Sequence, residues 1–214
     1  MRKRKLKLLF VGLFSALFAV NPVKSLSNKE IRDYDSNGEK CFNETSHLVS
    51  VGIGLGRNYY ISLSGTSWKS PNFSLTYEFP WPKRIGPGYL GVGGYLGYQT
   101  EHDRSYYGSS YYYQHDWNYY TIAGRGTYHW DVLNSEKAEV YGGSLIGLRF
   151  QTYHYVTNNM GSGADVYRYN EKDIPYPVFS LFAGARWYFT KNIAVYGEVS
   201  HRVSYIAGGL TYKF

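Results

Sequence analysis

The last ten residues, 205–214, constrain the fold most, because apolar side chains alternate strictly with small or polar ones. One face of this segment would carry Ile206, Leu210, Tyr212 and Phe214, with Gly208 between them. The opposite face would carry Ala207, Gly209, Thr211 and Lys213. Side chains of a β-strand point alternately to its two faces, so the pattern predicts a half-buried strand that ends on an aromatic residue.

Seven earlier segments repeat this period of two. They are residues 48–56, 72–79, 89–99, 117–130, 138–150, 178–189 and 193–200. In each, one face is apolar and the other carries Gly, Ser, Thr, Tyr and all the charged residues. A membrane-crossing strand needs about 9–11 residues and is apolar only at alternate positions. The sequence therefore predicts an all-β fold, an eight-stranded antiparallel up-and-down transmembrane β-barrel.

The predicted connections alternate in length. If Phe214 ends in the periplasm, the outer connections are 57–71, 100–116, 151–177 and 201–204. The inner connections are then 80–88, 131–137 and 190–192. Short inner turns and longer outer loops are typical of outer-membrane barrels.

The N-terminal residues have the pattern of a secretory signal peptide. A cationic stretch (Arg2 to Lys7) precedes the apolar run 8–20, and residues 23–25 offer a cleavage site, with Ala19 as the alternative. This run is too short for a membrane-spanning helix. We expect residues 1–25 to be a signal peptide, 26–45 a flexible periplasmic arm, and 46–214 the outer-membrane barrel.

The basic character of the chain lies almost wholly in this signal peptide. The formal net charge is +7, but residues 1–25 hold six of the 23 bases and no acid. The remaining 17 bases against 16 acids give a net charge of +1, so we expect no nucleic-acid partner. A single cysteine, Cys41, excludes an internal disulfide.

A soluble lipocalin-like barrel is the alternative fold, with its apolar face inside and its charged face outside. Two observations oppose it. Aromatic residues cluster near the two expected membrane interfaces, on one side Phe79, Trp81, Trp130, Phe189 and Phe214, and towards the other Trp68, Trp117 and Phe150. The charged face is also rich in glycine, which lipocalin exteriors are not.

Six charged residues near the inner strand ends are phased into the lumen. They are Glu78, Arg125, Glu139, Arg186, Glu198 and Lys213. Three acids and three bases predict a paired lumenal charge network, since unpaired buried charges are costly. Arg149 is expected nearer the outer rim.

Several barrel motifs resemble those of a known family. Residues 51–56, 93–98, 124–130, 140–143, 184–189 and the C-terminal strand resemble small outer-membrane proteins of the porin-like β-barrel family common in Bacteroidetes. The resemblance spans about residues 48–214 and implies an OmpA/OmpX-like eight-stranded barrel with no established activity. It also implies that Leu210, Tyr212 and Phe214 form the signal read by the barrel-assembly machinery.

Two groups of residues could support chemistry. His201 and Ser204 follow Glu198, a set that is similar to the Ser-His-Glu site of lipid A deacylases, but with a different spacing and with Glu198 phased into the lumen. His102, Asp103, His115 and Asp116 could bind a metal, yet they lack close ligand spacing. We expect an ordinary hairpin and hydrophilic strand ends, with no catalytic residue, cofactor or metal.

The connection 100–116 is rich in tyrosine. Tyr106, Tyr107, Tyr111, Tyr112 and Tyr113 lie there among Gly and Ser. Tyrosine gives rigid, amphipathic contact area, so these residues are a candidate extracellular recognition surface. The equally weighted alternative is a set of interface aromatics on strands that extend beyond the membrane.

The sequence thus favours a non-enzymatic barrel of the bacterial outer membrane with a side-chain-filled lumen and a structural, adhesive or complex-forming role. Its expected partners are outer-membrane lipid and lipopolysaccharide, the barrel-assembly machinery and an envelope protein bound through the loops. A narrow porin-like channel is the alternative, and a lipid A-modifying enzyme is a third possibility.

Overall fold

The computed structural model describes residues 41–56, 67–107, 111–130, 133, 135, 137–159 and 167–214. The expected signal peptide, residues 26–40 of the expected arm, and residues 57–66 lie outside this part. No helix in the described ranges is long and apolar enough to cross a membrane.

Nine antiparallel strands form the fold within these described ranges. They are β1 (Leu48–Leu55), β2 (Ser67–Lys69), β3 (Asn72–Ile85), β4 (Gly88–Tyr107), β5 (Tyr111–Trp130), β6 (Ala138–Asn159), β7 (Tyr167–Tyr188), β8 (Ile193–Ser200) and β9 (Ile206–Lys213). All except β2 form one ring in the order β4-β3-β1-β9-β8-β7-β6-β5, which pairing of β4 with β5 closes. The predicted eight-stranded antiparallel up-and-down barrel is confirmed.

Apolar side chains form a belt around the outside of the ring. Val51 of β1 lies opposite Leu75 of β3 and Leu210 of β9 in the strand register, and similar pairs continue around the barrel. Every strand of the ring contributes to the belt, through Val51, Ile53, Phe73, Leu75, Leu96, Ile122, Ile146, Leu148, Phe179, Leu181, Val195, Val199, Ile206 and Leu210, all exposed. Inward-facing residues are mostly polar, aromatic or glycine, with a few aliphatic residues such as Ala123, Leu145 and Ala194 among them.

Four strands are much longer than the pattern of alternation indicated. β4 and β5 have 20 residues each and β6 and β7 have 22, whereas β1, β8 and β9 have eight. Most of the predicted outer loops 100–116 and 151–177 is therefore strand, so their assignment as loops is wrong. We call this extension, with β2 paired to it through Ser67 and Lys69, the outer sheet.

The predicted inner connection 80–88 is also mostly strand. β3 continues to Ile85, and only Gly86 and Pro87 lie between it and β4. Gly86 has a φ of 61°, a left-handed conformation that glycine adopts without strain. The register shifts between Pro80 and Arg84, and this irregularity accommodates Pro82, which has no N–H to donate to the ladder.

Proline protects one open edge of the outer sheet. In the described part of the chain, β8 pairs with β7 only from Phe182 inward, so β7 above this point has an edge without a neighbouring strand. On this side the Leu181 carbonyl accepts a hydrogen bond from His201 N. The backbone groups of Pro175 and Pro177 point to the same side, because alternate residues of a strand share one direction. They place no N–H on the open edge, which disfavours pairing with another chain.

Candidate functional site

Four polar side chains from four strands meet at the inner end of the lumen. Arg186 donates from Nη1 to Glu139 Oε1 at 2.5 Å and from Nη2 to Glu78 Oε2 at 3.3 Å. His129 Nε2 lies 2.6 Å from Glu78 Oε1, and its Nδ1 lies 3.6 Å from Glu139 Oε2. All four residues are buried, so this inner charge cluster is shielded from water and held by its own contacts.

A second ion pair crosses the lumen above this cluster. Arg125 donates from Nη2 to Glu198 Oε1 at 2.5 Å and from Nη1 to Glu198 Oε2 at 3.2 Å. The Tyr141 hydroxyl donates to Glu198 Oε1 at 2.9 Å. The Arg125 guanidinium also lies 3.8 Å from the Phe182 ring centroid, a cation–π contact.

The two charged layers are joined by aromatic packing. The Arg186 guanidinium lies 4.3 Å from the centroid of the Tyr141 ring, whose hydroxyl reaches the upper pair. Tyr95, Leu145 and Val203 pack above, and Val203 belongs to the β8–β9 connection, which therefore folds into the outer mouth. Two cavities among the described residues each have about 20 Å³, room for about one water molecule.

The structure brings together five of the six residues predicted for the lumenal network, in two groups. The ammonium of the sixth residue, Lys213, lies 5.4 Å from the Tyr188 ring centroid. Arg149 lies higher in the lumen and donates from Nε to Thr121 Oγ1 at 3.1 Å. Sequence reasoning missed His129, although it shares the phase of Arg125 and Thr127 on β5, and that shared phase was the available signal.

The three residues predicted as an assembly signal lie on the outer surface. Leu210, Tyr212 and Phe214 are each more than half exposed. Two backbone hydrogen bonds join Phe214 to His47. Phe214 N donates to His47 O at 3.0 Å, and His47 N donates to Phe214 O at 3.1 Å. The chain end thus also helps to join the last strand to the segment that precedes β1, and the signalling role stays a prediction.

Glu198, His201 and Ser204 do not form a catalytic triad in the described structure. Glu198 is paired with Arg125 inside the lumen, and His201 is exposed. Ser204 is buried at the outer mouth, where its carbonyl accepts a hydrogen bond from the Ser200 hydroxyl. A Ser nucleophile needs its base within hydrogen-bond reach. Here Glu198 lies in the lumen, His201 is exposed and Ser204 is buried at the outer mouth.

The candidate metal ligands are divided between the two faces of the outer sheet. His102 pairs with Asp116, and Asp103 lies opposite His115 at the next register position, which points to the other face. His102 Nδ1 bonds Asp116, the Ser67 hydroxyl donates to Asp103, and His115 Nδ1 lies 2.6 Å from Tyr153 Oη. No group of three potential ligands occurs in the described ranges.

The tyrosine-rich connection forms the outer ends of β4 and β5. Tyr106 and Tyr107 pair with Tyr112 and Tyr111, although the side chains of Tyr106, Tyr107 and Tyr111 lie outside the described part. Tyr113 and Tyr155 stack with centroids 6.4 Å apart, and the Arg104 guanidinium lies 5.3 Å from the Tyr112 centroid.

Aromatic packing continues down the inward face of the outer sheet. The Trp117 and Tyr153 centroids are 5.5 Å apart, and His115 stacks on Trp117 at 5.6 Å. Trp117 therefore does not face lipid at the outer interface, contrary to the sequence prediction, because the odd-numbered residues of β5 point inward. The inward face of the outer sheet is therefore lined by aromatic rings and polar groups.

Comparison with known proteins gives likenesses of architecture only. No protein-family model matches this sequence, and no curated protein matches it. The outer-membrane protein Ail of Yersinia pestis, solved in a phospholipid bilayer nanodisc, is 14% identical, with 80% of this chain and 100% of Ail covered and a TM-score of 0.41. The N-terminal β-barrel domain of Pseudomonas aeruginosa OprF is 12% identical, with coverages of 80% and 98% and a TM-score of 0.39. The KdgM porin is 11% identical, with coverages of 79% and 99% and a TM-score of 0.24. These values carry no argument about activity, ligands or partners.

Proposed function

We propose that this chain is a non-enzymatic, integral β-barrel protein of the bacterial outer membrane. The observation that carries the proposal is the inversion of polarity, because the ring buries Glu78, Arg125, Glu139 and Arg186 and exposes an apolar belt. In water such a belt would cost free energy on every strand, whereas in hydrocarbon it is the favourable surface.

Aromatic residues flank the belt at its inner side. Phe79, Trp81, Trp187, Phe189 and Phe214 are all exposed there. Rings of this kind favour the interface between hydrocarbon and headgroups, so we propose outer-membrane lipid and lipopolysaccharide as partners of the surface. We also propose that the barrel-assembly machinery is a partner. A relationship to the porin-like family of Bacteroidetes is proposed from the sequence motifs alone.

A structural role is favoured over a porin-like channel by the filled lumen. Two charged layers lie one above the other, and the Val203 loop occupies the outer mouth. An eight-stranded barrel encloses an interior just wide enough for side chains. The narrow channel therefore remains the second candidate, and it would require these layers to rearrange.

The outer sheet supports an adhesive role or a place in an envelope complex. It projects aromatic and paired charged side chains, among them Tyr113, Trp117 and the Lys69–Glu101 pair at 2.7 Å, beyond the belt. Rigid aromatic rings beside hydrogen-bonding groups are typical of recognition surfaces. We propose this sheet as the surface that a partner contacts.

Protease added to intact cells tests the proposed membrane topology. We expect cleavage between β4 and β5 or between β6 and β7, and no cleavage in the 131–137 connection, which should be cut only after the outer membrane is permeabilised. Cleavage at 131–137 in sealed cells would invert the topology.

Two further measurements separate the alternative functions. The purified protein should show only brief, small events in planar bilayers, and a stable large conductance would favour the channel. The lipid A mass spectrum should be the same with and without the protein, and a changed acyl pattern would favour an enzyme.

A further inference from the structure

The segment before β1 enters the inner mouth of the barrel. Cys41 and Phe42, at the end of the expected flexible arm, are only 5% and 4% exposed. The Phe42 ring stacks on His129 with centroids 3.8 Å apart and an interplanar angle of 8°, and it packs against Leu48 and Tyr89. The ring therefore covers the inner charge cluster from the inner end.

Cys41 lies next to Phe42 and packs against β7 and β8. It packs against Tyr188 of β7 and Ala194 of β8, which are themselves almost fully buried. Its thiol donates to the Ser135 carbonyl in the β5–β6 connection at 3.1 Å. Cys41 and Phe42 together contact elements on opposite sides of the mouth.

A compact turn holds these two residues in place. Asn43 N donates to Ser46 Oγ at 3.0 Å, and Ser46 Oγ donates to Asn43 Oδ1 at 2.8 Å. Thr45 N also donates to Asn43 Oδ1 at 3.0 Å, which completes an Asx-type turn. The turn reverses the chain between the buried pair and the start of β1 at Leu48.

We propose that the inner mouth is a peptide-binding socket, and that residues 41–46 occupy it as a stopper. The socket takes a short peptide with a small thiol-bearing side chain followed by an aromatic ring. Its floor is His129, its walls are Tyr89, Tyr188 and Ala194, and its function is to exclude periplasmic water from the inner charge cluster.

The stopper lies outside the strand ladder of the barrel wall. Residues 41–46 belong to no strand, whereas the strands of the ring are joined to one another by backbone ladders. Segments outside the strand ladder can open at lower free energy than the ladder itself, so the stopper can leave while the barrel stays closed. The Arg125–Glu198 layer would still block the lumen.

Thiol labelling tests this socket directly, because Cys41 is the only cysteine of the chain. The full-length protein, folded in detergent micelles, is exposed to a maleimide reagent and the rate of labelling is measured. We expect slow labelling of the native protein and about tenfold faster labelling of Phe42→Ala, since the thiol reacts only from the open state. Phe73→Ala, an exposed aromatic on the outer face, should label at the native rate.

Asn43→Ala is the second variant, because it removes the turn and leaves every residue of the socket unchanged. We expect its labelling to be faster too, with no gain in conductance for either variant. Heat-modifiable gel mobility reports that each variant is folded. Fast labelling of the native protein, or equal rates for the native protein and both folded variants, would overturn the stopper, and this result does not depend on the proposed location in the outer membrane.

Discussion

Arg125 and Glu198 form a two-point ion pair across the lumen, from β5 to β8, although β6 and β7 separate these strands in the wall. The pair thus connects opposite sides of the barrel, which the backbone ladder does not. Because Arg125 is buried, its partner cannot be replaced by bulk water. The side chains that fill the lumen therefore contribute to the stability of the fold.

We first predict that Arg125→Ala lowers stability far more than Arg149→Ala. Loss of Arg125 leaves the Glu198 carboxylate with the Tyr141 hydroxyl, and breaking a buried pair typically costs about 3–5 kcal/mol. Arg149 is half-buried and donates to a neutral hydroxyl, so its loss should cost less. Unfolding midpoints in detergent measure the difference, and equal midpoints would contradict the paired-lumen account.

Arg186→Ala should be at least as destabilising, because it leaves two carboxylates, Glu78 and Glu139, close together. Changing Glu139→Gln in the same chain removes one of the two negative charges and should restore part of the loss. The comparison is the unfolding midpoint of the double variant against that of Arg186→Ala. A double variant that is less stable than Arg186→Ala would show that repulsion between the carboxylates is not the cause.

A third prediction concerns the close approach of Gly52 to Tyr196. A Cβ at position 52 would overlap the Tyr196 hydroxyl, whereas a Cβ at Gly197 meets nothing within 4 Å. Gly52→Ala should therefore cost about 1–3 kcal/mol, and Gly197→Ala, the matched control, should cost much less. Adding Tyr196→Phe removes the overlapping oxygen and should recover part of the stability. If it recovers none, the strain lies in the backbone and not in the contact.

Sequence alternation predicted the short strands almost to the residue. β8 matches its predicted bounds, and β1 ends one residue earlier than predicted. Both strands have an apolar outer face and a polar or glycine-rich lumenal face along their whole length, so the period of two is continuous. The outer sheet lacks this contrast, because tyrosine, histidine and polar residues occupy both faces beyond the belt, and alternation therefore does not predict its strands.

Residue phase likewise predicted which charged groups face the lumen but not which of them meet. Glu78 and Glu139 lie on β3 and β6, which are not neighbours, and side-chain reach across the lumen decides that both contact Arg186. Lys213 has the right phase, yet its ammonium lies near the Tyr188 ring. The burial of Phe42 had no periodic signal, because its partner His129 lies on another strand and the contact depends on the assembled mouth.

The last prediction separates two roles of the C-terminal residue. Deleting Phe214 removes an exposed ring, but it also removes the two backbone hydrogen bonds to His47. Phe214→Ala keeps those bonds and removes only the ring. If the ring is the signal read during assembly, both variants should insert slowly and accumulate as degradable periplasmic protein. Phe189→Ala, an exposed inner aromatic away from the chain end, should assemble normally. Pulse-chase measurement of the heat-modifiable barrel distinguishes the cases. A defect in the deletion alone would assign the effect to the lost pairing with His47, and normal assembly of both variants would remove the role of Phe214 as an assembly signal.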